Sequence, residues 1–362
     1  MKILVAGSFL WPMYEPPLVR AFRDLGYDTY EFAWKKYFNF KSSFSFNWKN
    51  FREYPAKFLE AIKRAENKYH VGPTVNKINK DLITYAKEIR PDLIFIYYGI
   101  LFSAKTLRAL KAAGAKVFGY NNDDPFSKTA SKSYWRKYLS SCPEYDYMFS
   151  FRAKNIEDYK REFNIDAELL RAYYIKDRNF HIDTLDNRYK CDVGFIGHYE
   201  DDGRDEFLIR LVRGGYSFKL YGAEWDRSKY YDEFKKLMGD DIKPVQENYN
   251  LALNSCKIAL VFLSHINNDT YTIRSLEIPA TGTFMLSTYT DDLASLFEPD
   301  KEAVYFRTPD EMINKVDYYL AHDDERKKIA QNGYKRVMLD GHEAEDRAKQ
   351  IIRAYERIKG EK

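Results

Sequence analysis

Cys191-Asp192-Val193-Gly194-Phe195-Ile196-Gly197 is the stretch on which the fold turns. It is a short apolar run closed by glycine in mid-chain, and it restarts a pattern that the chain first shows at Met1-Lys2-Ile3-Leu4-Val5-Ala6-Gly7. A continuous apolar run of this length reads as a strand buried on both faces of a parallel sheet. Upstream, Glu15-Pro16-Pro17 opens a helix in which Leu18, Ala21, Phe22 and Leu25 recur at helical spacing before Gly26 stops it. Further strands read at 28–33, 93–97, 115–120 and 145–151, with helical pattern dominating 51–89 and a helix at 103–113. Downstream of Cys191 the alternation resumes: helix 204–214, strand 217–221, strand 257–263, helix 273–282, strands 283–287 and 303–306, then helix from Asp310 to a terminal helix at 343–359. Strand and helix alternating twice predict an α/β protein of two Rossmann-like, doubly wound domains facing a central cleft. The expected boundaries are 1–175, a linker at 176–190 where apolar periodicity fails and charge rises, 191–342, and a C-terminal helix at 343–362 that packs back on the first domain.

Length and composition agree with two domains. The chain has 362 residues, 45% hydrophobic and 31% charged, with a net charge of +4, a globular profile lacking the single-signed field that nucleic-acid binding needs. Its 31 Tyr and 25 Phe supply rings that suit carbohydrate faces as well as cores. Cys142, Cys191 and Cys256 are widely spaced, so neither a disulfide framework nor a zinc site is expected, and a reducing cytoplasm fits. No run approaches the ~18 apolar residues of a spanning helix. The aromatic, basic stretch from Trp34 to Trp48 reads first as a folded insertion; peripheral contact with the inner face of a membrane is the alternative, and an acceptor-binding loop is the role its place in the chain suits.

Ligands of open parallel sheets bind beyond the carboxyl ends of the strands, so four loops deserve inspection. Gly7 to Glu15 lacks the Gly-x-Gly-x-x-Gly of a dinucleotide site, which disfavours NAD; Tyr14 either contacts substrate or staples the helix entry. Asn121-Asn122-Asp123-Asp124-Pro125 offers two carboxylates able to hold sugar hydroxyls or act as a base, against the plain reading of an Asx-turn. Its adjacent aspartates differ from a spaced Asp-x-Asp metal pair, and no metal is expected. Gly197 to Arg204 joins a strand to a helix, where Gly197 amides, His198 and Arg204 can meet a phosphate unless Arg204 is spent in a salt bridge. The fourth loop carries Asp269, Thr270, Tyr271, Arg274 and Glu277; its two acids share one side if the helix begins near Thr270. Arg274 can serve a diphosphate or pair with Glu277 one turn on.

Asp269-x7-Glu277 followed by Ile278-Pro279-Ala280-Thr281-Gly282-Thr283 resembles the Glu-x7-Glu segment of retaining GT-B glycosyltransferases, in the CgeB-like branch of the group 1 glycosyl transferases. The resemblance covers about residues 190 to 350 and includes Asp192 to Gly197, Gly222-Ala223-Glu224-Trp225 and Asp324 to Gly333. In the first half it runs more loosely through Asn122-Asp123-Asp124-Pro125. It implies a GT-B fold and transfer of a sugar, with retention and without metal, from a nucleoside-diphosphate sugar to a glycan, glycolipid or protein, as in polysaccharide biosynthesis. Glu277 would hold the ribose and Asp269, where the family has Glu, the donor sugar. Arg204, Arg274 and the amides near Gly197 would face the diphosphate, with Thr270 and Tyr271 lining the donor site and Asp123, Asp124 and Tyr14 serving the acceptor half. The competing expectations are a nucleotide-sugar epimerase of the same architecture and a non-catalytic sugar-nucleotide-binding module.

Overall fold

The computed structural model describes residues 1–38, 55–129, 131–239 and 242–360. The chain divides into two units, Met1–Arg171 with Ala344–Lys362, and Ala172–Glu343.

The first unit is built on a six-stranded parallel sheet of β1 (Lys2–Gly7), β2 (Asp28–Ala33), β3 (Leu93–Tyr97), β4 (Lys116–Asn121), β5 (Tyr147–Ser150) and β6 (Ala167–Leu169), in the order β2-β1-β3-β4-β5-β6. Successive residues Leu93, Ile94, Phe95 and Ile96 are all fully buried, so both faces of the sheet are covered, which is why these strands read as unbroken apolar runs. Helices Pro73–Ile89 and Ala104–Ala112 present Ile78, Leu82, Leu107 and Leu110 to the same core as Ile94 and Ile96. The terminal helix Ala344–Gly360 belongs to this unit. Gln350 donates to the Leu169 carbonyl at 2.8 Å, Arg357 donates to the Tyr147 hydroxyl at 2.7 Å, and Tyr355 packs on Phe118.

The second unit carries a five-stranded parallel sheet of β7 (Cys191–Ile196), β8 (Phe218–Tyr221), β9 (Cys256–Val261), β10 (Phe284–Thr288) and β11 (Val304–Phe306), in the order β11-β10-β9-β7-β8. Residues 176–190, expected as a linker, fall within this unit: the amides of Phe180 and Ile182 donate to Asn250 Oδ1 at 3.2 Å and Asn254 Oδ1 at 2.9 Å. Cys191 and Cys256 stand opposite each other in register as free thiols with their sulfurs 3.4 Å apart.

The strands occur where periodicity places them, with ends shifted by a residue or two. The exception is β6, three half-buried residues at a sheet edge, too short to show a period. Of the aromatic stretch after Ala33, Trp34–Phe38 forms a tight 3₁₀ turn with Trp34 and Phe38 buried in the core, and 39–54 lie outside the described residues. Trp34 is thus a packing residue and offers nothing to a membrane surface. Among the described residues no helix is long and apolar enough to cross a membrane.

Candidate functional site

Topology alone marks where a ligand should sit. In the second sheet the chain leaves β7 toward β8 on one side, while β9 pairs with β7 on the other, so β7 and β9 flank a switch point with a crevice beyond their carboxyl ends. The loops that follow these two strands are the ones singled out by sequence around Gly197 and around Asp269. In the first sheet the corresponding point lies between β1 and β3.

The loop after β7 is held from below. The Gly197 amide donates to Tyr221 O at 2.8 Å, and the indole N–H of Trp225 donates to the Gly197 carbonyl at 2.9 Å. Arg204, the candidate phosphate ligand, is spent on the loop itself. Its Nε and a terminal nitrogen grip Asp202 at 2.8 and 2.6 Å, another nitrogen donates to the His198 carbonyl at 3.0 Å, and Glu200 lies 3.3 Å away. With only 4% of its side chain exposed, Arg204 is a brace, and the salt-bridge alternative holds over the phosphate role. The acidic run at 200–202 is the physical reason. His198 is half exposed and meets Glu200 at 3.0 Å.

Glu200 carries the electrical load of this loop. Burial pushes its carboxyl up most strongly, but hydrogen bonds from His198 and Ser264 and the charges of Arg204 and His198 together outweigh it and bring its pKa down to about 2. A folded-state pKa below the unfolded one stabilises the fold above the unfolded value and loses that contribution as pH falls through the folded value. The expected result is acid destabilisation between pH 4.5 and about 2 that Glu200→Gln flattens, read as thermal melts against pH for both proteins.

The loop after β9 resolves the second motif differently from its spacing. The helix begins at Arg274, not near Thr270, and runs only to Ala280, so Glu277 lies in its first turn and Asp269 precedes it by a stretch of loop. Thr270 and Tyr271, expected to line the donor site, are committed elsewhere. The Thr270 hydroxyl donates to Asp292 at 2.6 Å. Tyr271 is 0% exposed, and its hydroxyl accepts the Ala172 amide at 2.8 Å, so it is core and cannot touch a ligand. Asp269 stays partly exposed, its amide donating to the Ser264 carbonyl at 2.9 Å.

Glu277 is 2% exposed and accepts a hydrogen bond from the Tyr249 hydroxyl at 2.5 Å. Burial first, and the Glu277 charge second, hold that phenol protonated well above its ordinary pKa, so it remains a donor at any working pH. Arg274 forms no ion pair with Glu277 or any other carboxylate among the described residues, and its Nε is buried without a hydrogen-bond partner. The pairing that the one-turn spacing allowed is therefore absent. Tyr249 carried no sequence signal, since it lies 28 positions from the acid it serves.

In the first unit the two neighbouring aspartates part company. Asp124 is buried and its Oδ1 accepts the Phe126 amide at 2.9 Å and the Asn155 side-chain amide at 2.8 Å, the Asx-turn of the plain reading. It is a structural residue. Asp123, partly exposed, accepts the Tyr98 hydroxyl at 2.7 Å, and the Tyr98 backbone is left-handed with φ 53°. Tyr14 stacks on Tyr97 at 5.8 Å, at the carboxyl end of β3. Glu15, which opens the following helix, is buried with Oε1 accepting the Ser8 amide at 2.7 Å, and burial raises its pKa.

Residues 204–353 match the family model described as glycosyl transferase-like. No curated protein matches the sequence. Among solved structures, sucrose-phosphate synthase from Thermosynechococcus elongatus superposes with a TM-score of 0.69 at 12% identity over 100% of both chains. Anabaena HepE in complex with UDP-glucose gives 0.67 at 11% identity, over 99% of this chain and 100% of its own. A UDP-N-acetylglucosamine 2-epimerase-like protein from Listeria monocytogenes gives 0.58 at 12% identity, over 100% and 97%.

Proposed function

We propose that this chain of GT-B fold, whose residues 204–353 match the glycosyl transferase-like family model, is a glycosyltransferase whose donor is a nucleoside-diphosphate sugar bound by the second unit beyond β7 and β9. The observation that carries this reading is the buried Glu277 carboxylate, which stands just after the β9 loop within the family match and has one oxygen fixed by Tyr249. A carboxylate fixed in this way offers its remaining lone pairs to two vicinal hydroxyls, the pattern a ribose presents. Asp269, in the loop between β9 and that helix, is assigned to the sugar, and Arg274 to the diphosphate.

The chemistry we assign is transfer with retention to a glycan, glycolipid or protein acceptor, without a required metal. The protein then contributes by positioning the anomeric carbon and by stabilising negative charge on the departing diphosphate, rather than by a covalent nucleophile. In the first unit, Asp123 and Tyr14 are the residues we place toward the acceptor. HepE, whose fold this chain shares, is a protein seen with UDP-glucose, which makes UDP the first nucleotide to try.

Melting the protein against UDP, GDP and dTDP tests the donor reading. A ligand at 100 times its Kd adds about 2.7 kcal/mol, so one of the three should raise the melting temperature of the second unit, Ala172–Glu343, by about 5 to 10 °C. No shift with any of them rejects the reading. Incubation with the corresponding sugar nucleotide and no acceptor should leave its sugar unepimerised; an epimer would place the chain with the epimerases instead.

A further inference from the structure

The segment that leads into the second unit makes a tight turn whose purpose the fold alone does not explain. The amides of Arg178 and Asn179 both donate to the Ile175 carbonyl, at 2.8 and 2.7 Å, and Asn179 Oδ1 accepts the Ile175 amide at 3.0 Å. The turn is then tied to two helices. Asn250 exchanges hydrogen bonds with the backbone of Phe180 at 3.2 and 3.0 Å, and His181 Nδ1 meets the Thr281 carbonyl at 3.1 Å. Arg178 is thereby set with its guanidinium 5.2 Å from the centre of the Tyr249 ring, the same tyrosine whose hydroxyl holds Glu277.

Two arginines therefore converge on one phenol. The charges of both Arg274 and Arg178 act on the Tyr249 hydroxyl, and both Nε atoms are buried without a hydrogen-bond partner. Neither arginine forms an ion pair among the described residues. Two guanidinium groups and the Glu277 carboxylate thus act on one phenol, and the two Nε–H groups have no acceptor. Buried donors without partners are rare in folded proteins and point to a ligand that supplies the acceptors. Guanidinium forks match phosphate oxygens in geometry, and two of them match a diphosphate in charge.

We propose that Arg178 and Arg274 are the two arms of a clamp for the diphosphate of the donor, with Tyr249 as the spacer that sets the clamp beside Glu277. The proposal rests on the donor reading above and adds to it a residue from outside the motif segment. It transfers to this pair the role that Arg204, braced by Asp202 and Glu200, does not fill. In the reaction, the clamp neutralises the charge that grows on the diphosphate as the glycosidic bond breaks.

The test is calorimetric titration of the full chain with UDP, GDP, dTDP, their nucleosides and inorganic pyrophosphate. Arg178→Gln should weaken the nucleoside diphosphate that binds, and pyrophosphate, by about tenfold or more, the worth of a charge-assisted hydrogen bond, while leaving nucleoside affinity within about twofold. Arg178→Lys, which keeps the charge over the ring but loses the fork, should show a smaller loss of the same two ligands. If Arg178→Gln melts too low to titrate, the lysine variant decides alone. Unchanged diphosphate and pyrophosphate binding in the variant overturns the clamp. If Glu277→Ala loses the nucleotide while both Arg178 variants keep it, the donor reading survives and the clamp falls. If wild type binds none of these ligands, both fall; if it binds pyrophosphate in an Arg178-dependent way but no nucleotide, the clamp stands and the donor reading falls.

Discussion

Glu277→Ala should lower nucleoside-diphosphate affinity by about 100-fold, the equivalent of roughly two charge-assisted hydrogen bonds. The carboxylate is the acceptor for the ribose hydroxyls in this account, and its removal also leaves the Tyr249 hydroxyl, buried and protonated, without the partner it holds at 2.5 Å. An unsatisfied buried hydroxyl costs about 1–3 kcal/mol, so the variant should melt lower as well. Glu277→Gln separates these effects, since an amide oxygen can still accept from Tyr249 while the charge is gone. Pyrophosphate, which has no ribose, should bind the alanine variant at least as well as wild type, because the two arginines then face no competing carboxylate. A nucleotide titration that is unchanged in Glu277→Ala removes this residue from the site.

Gly222→Ala should be the most damaging small change in the second unit. Gly222 ends the loop entry after β8 with φ +153°, and a Cβ there would stand 1.9 Å from the Gly197 carbonyl oxygen. That oxygen is backbone and is already fixed by the Trp225 indole at 2.9 Å, so it cannot yield. Strained backbone and overpacking together should cost about 3 kcal/mol or more, a fall of about 6 to 12 °C in melting temperature. Gly215→Ala is the control. Gly215 has φ +74° and nothing within 4 Å of an added Cβ, so only the backbone strain remains, about 1 kcal/mol. Equal losses in the two variants would show that the contact between the β7 and β8 loops is not what Gly222 secures.

The two-sheet fold was legible because its strands are buried on both faces. Such strands are continuous apolar runs, as Leu93 to Tyr97 and Val193 to Ile196 are, and the same burial appears in the structure. The candidate site was legible only as a segment. Tyr271 reads as a ligand contact because it is an aromatic in a functional loop, yet its ring is core and its hydroxyl closes on Ala172. Thr270 to Ile273 is rich in β-branched and aromatic residues that disfavour an early helix, which is why the helix waits until Arg274. Arg204 shows the same limit from the other side, since a cation near a phosphate-sized loop cannot be told from a brace until the geometry of Asp202 and Glu200 is known. Tyr249 and Arg178 were invisible because their partners are distant in sequence and no local period marks them.

The most direct measurement is a crystal structure of the protein grown with the nucleoside diphosphate that raises its melting temperature. The ribose hydroxyls should lie within hydrogen-bond distance of Glu277, with the diphosphate against Arg274 and Arg178 and the phenol of Tyr249 still on the carboxylate. Nucleotide bound at another place in the chain, with Glu277 in contact with nothing but Tyr249, would contradict the account.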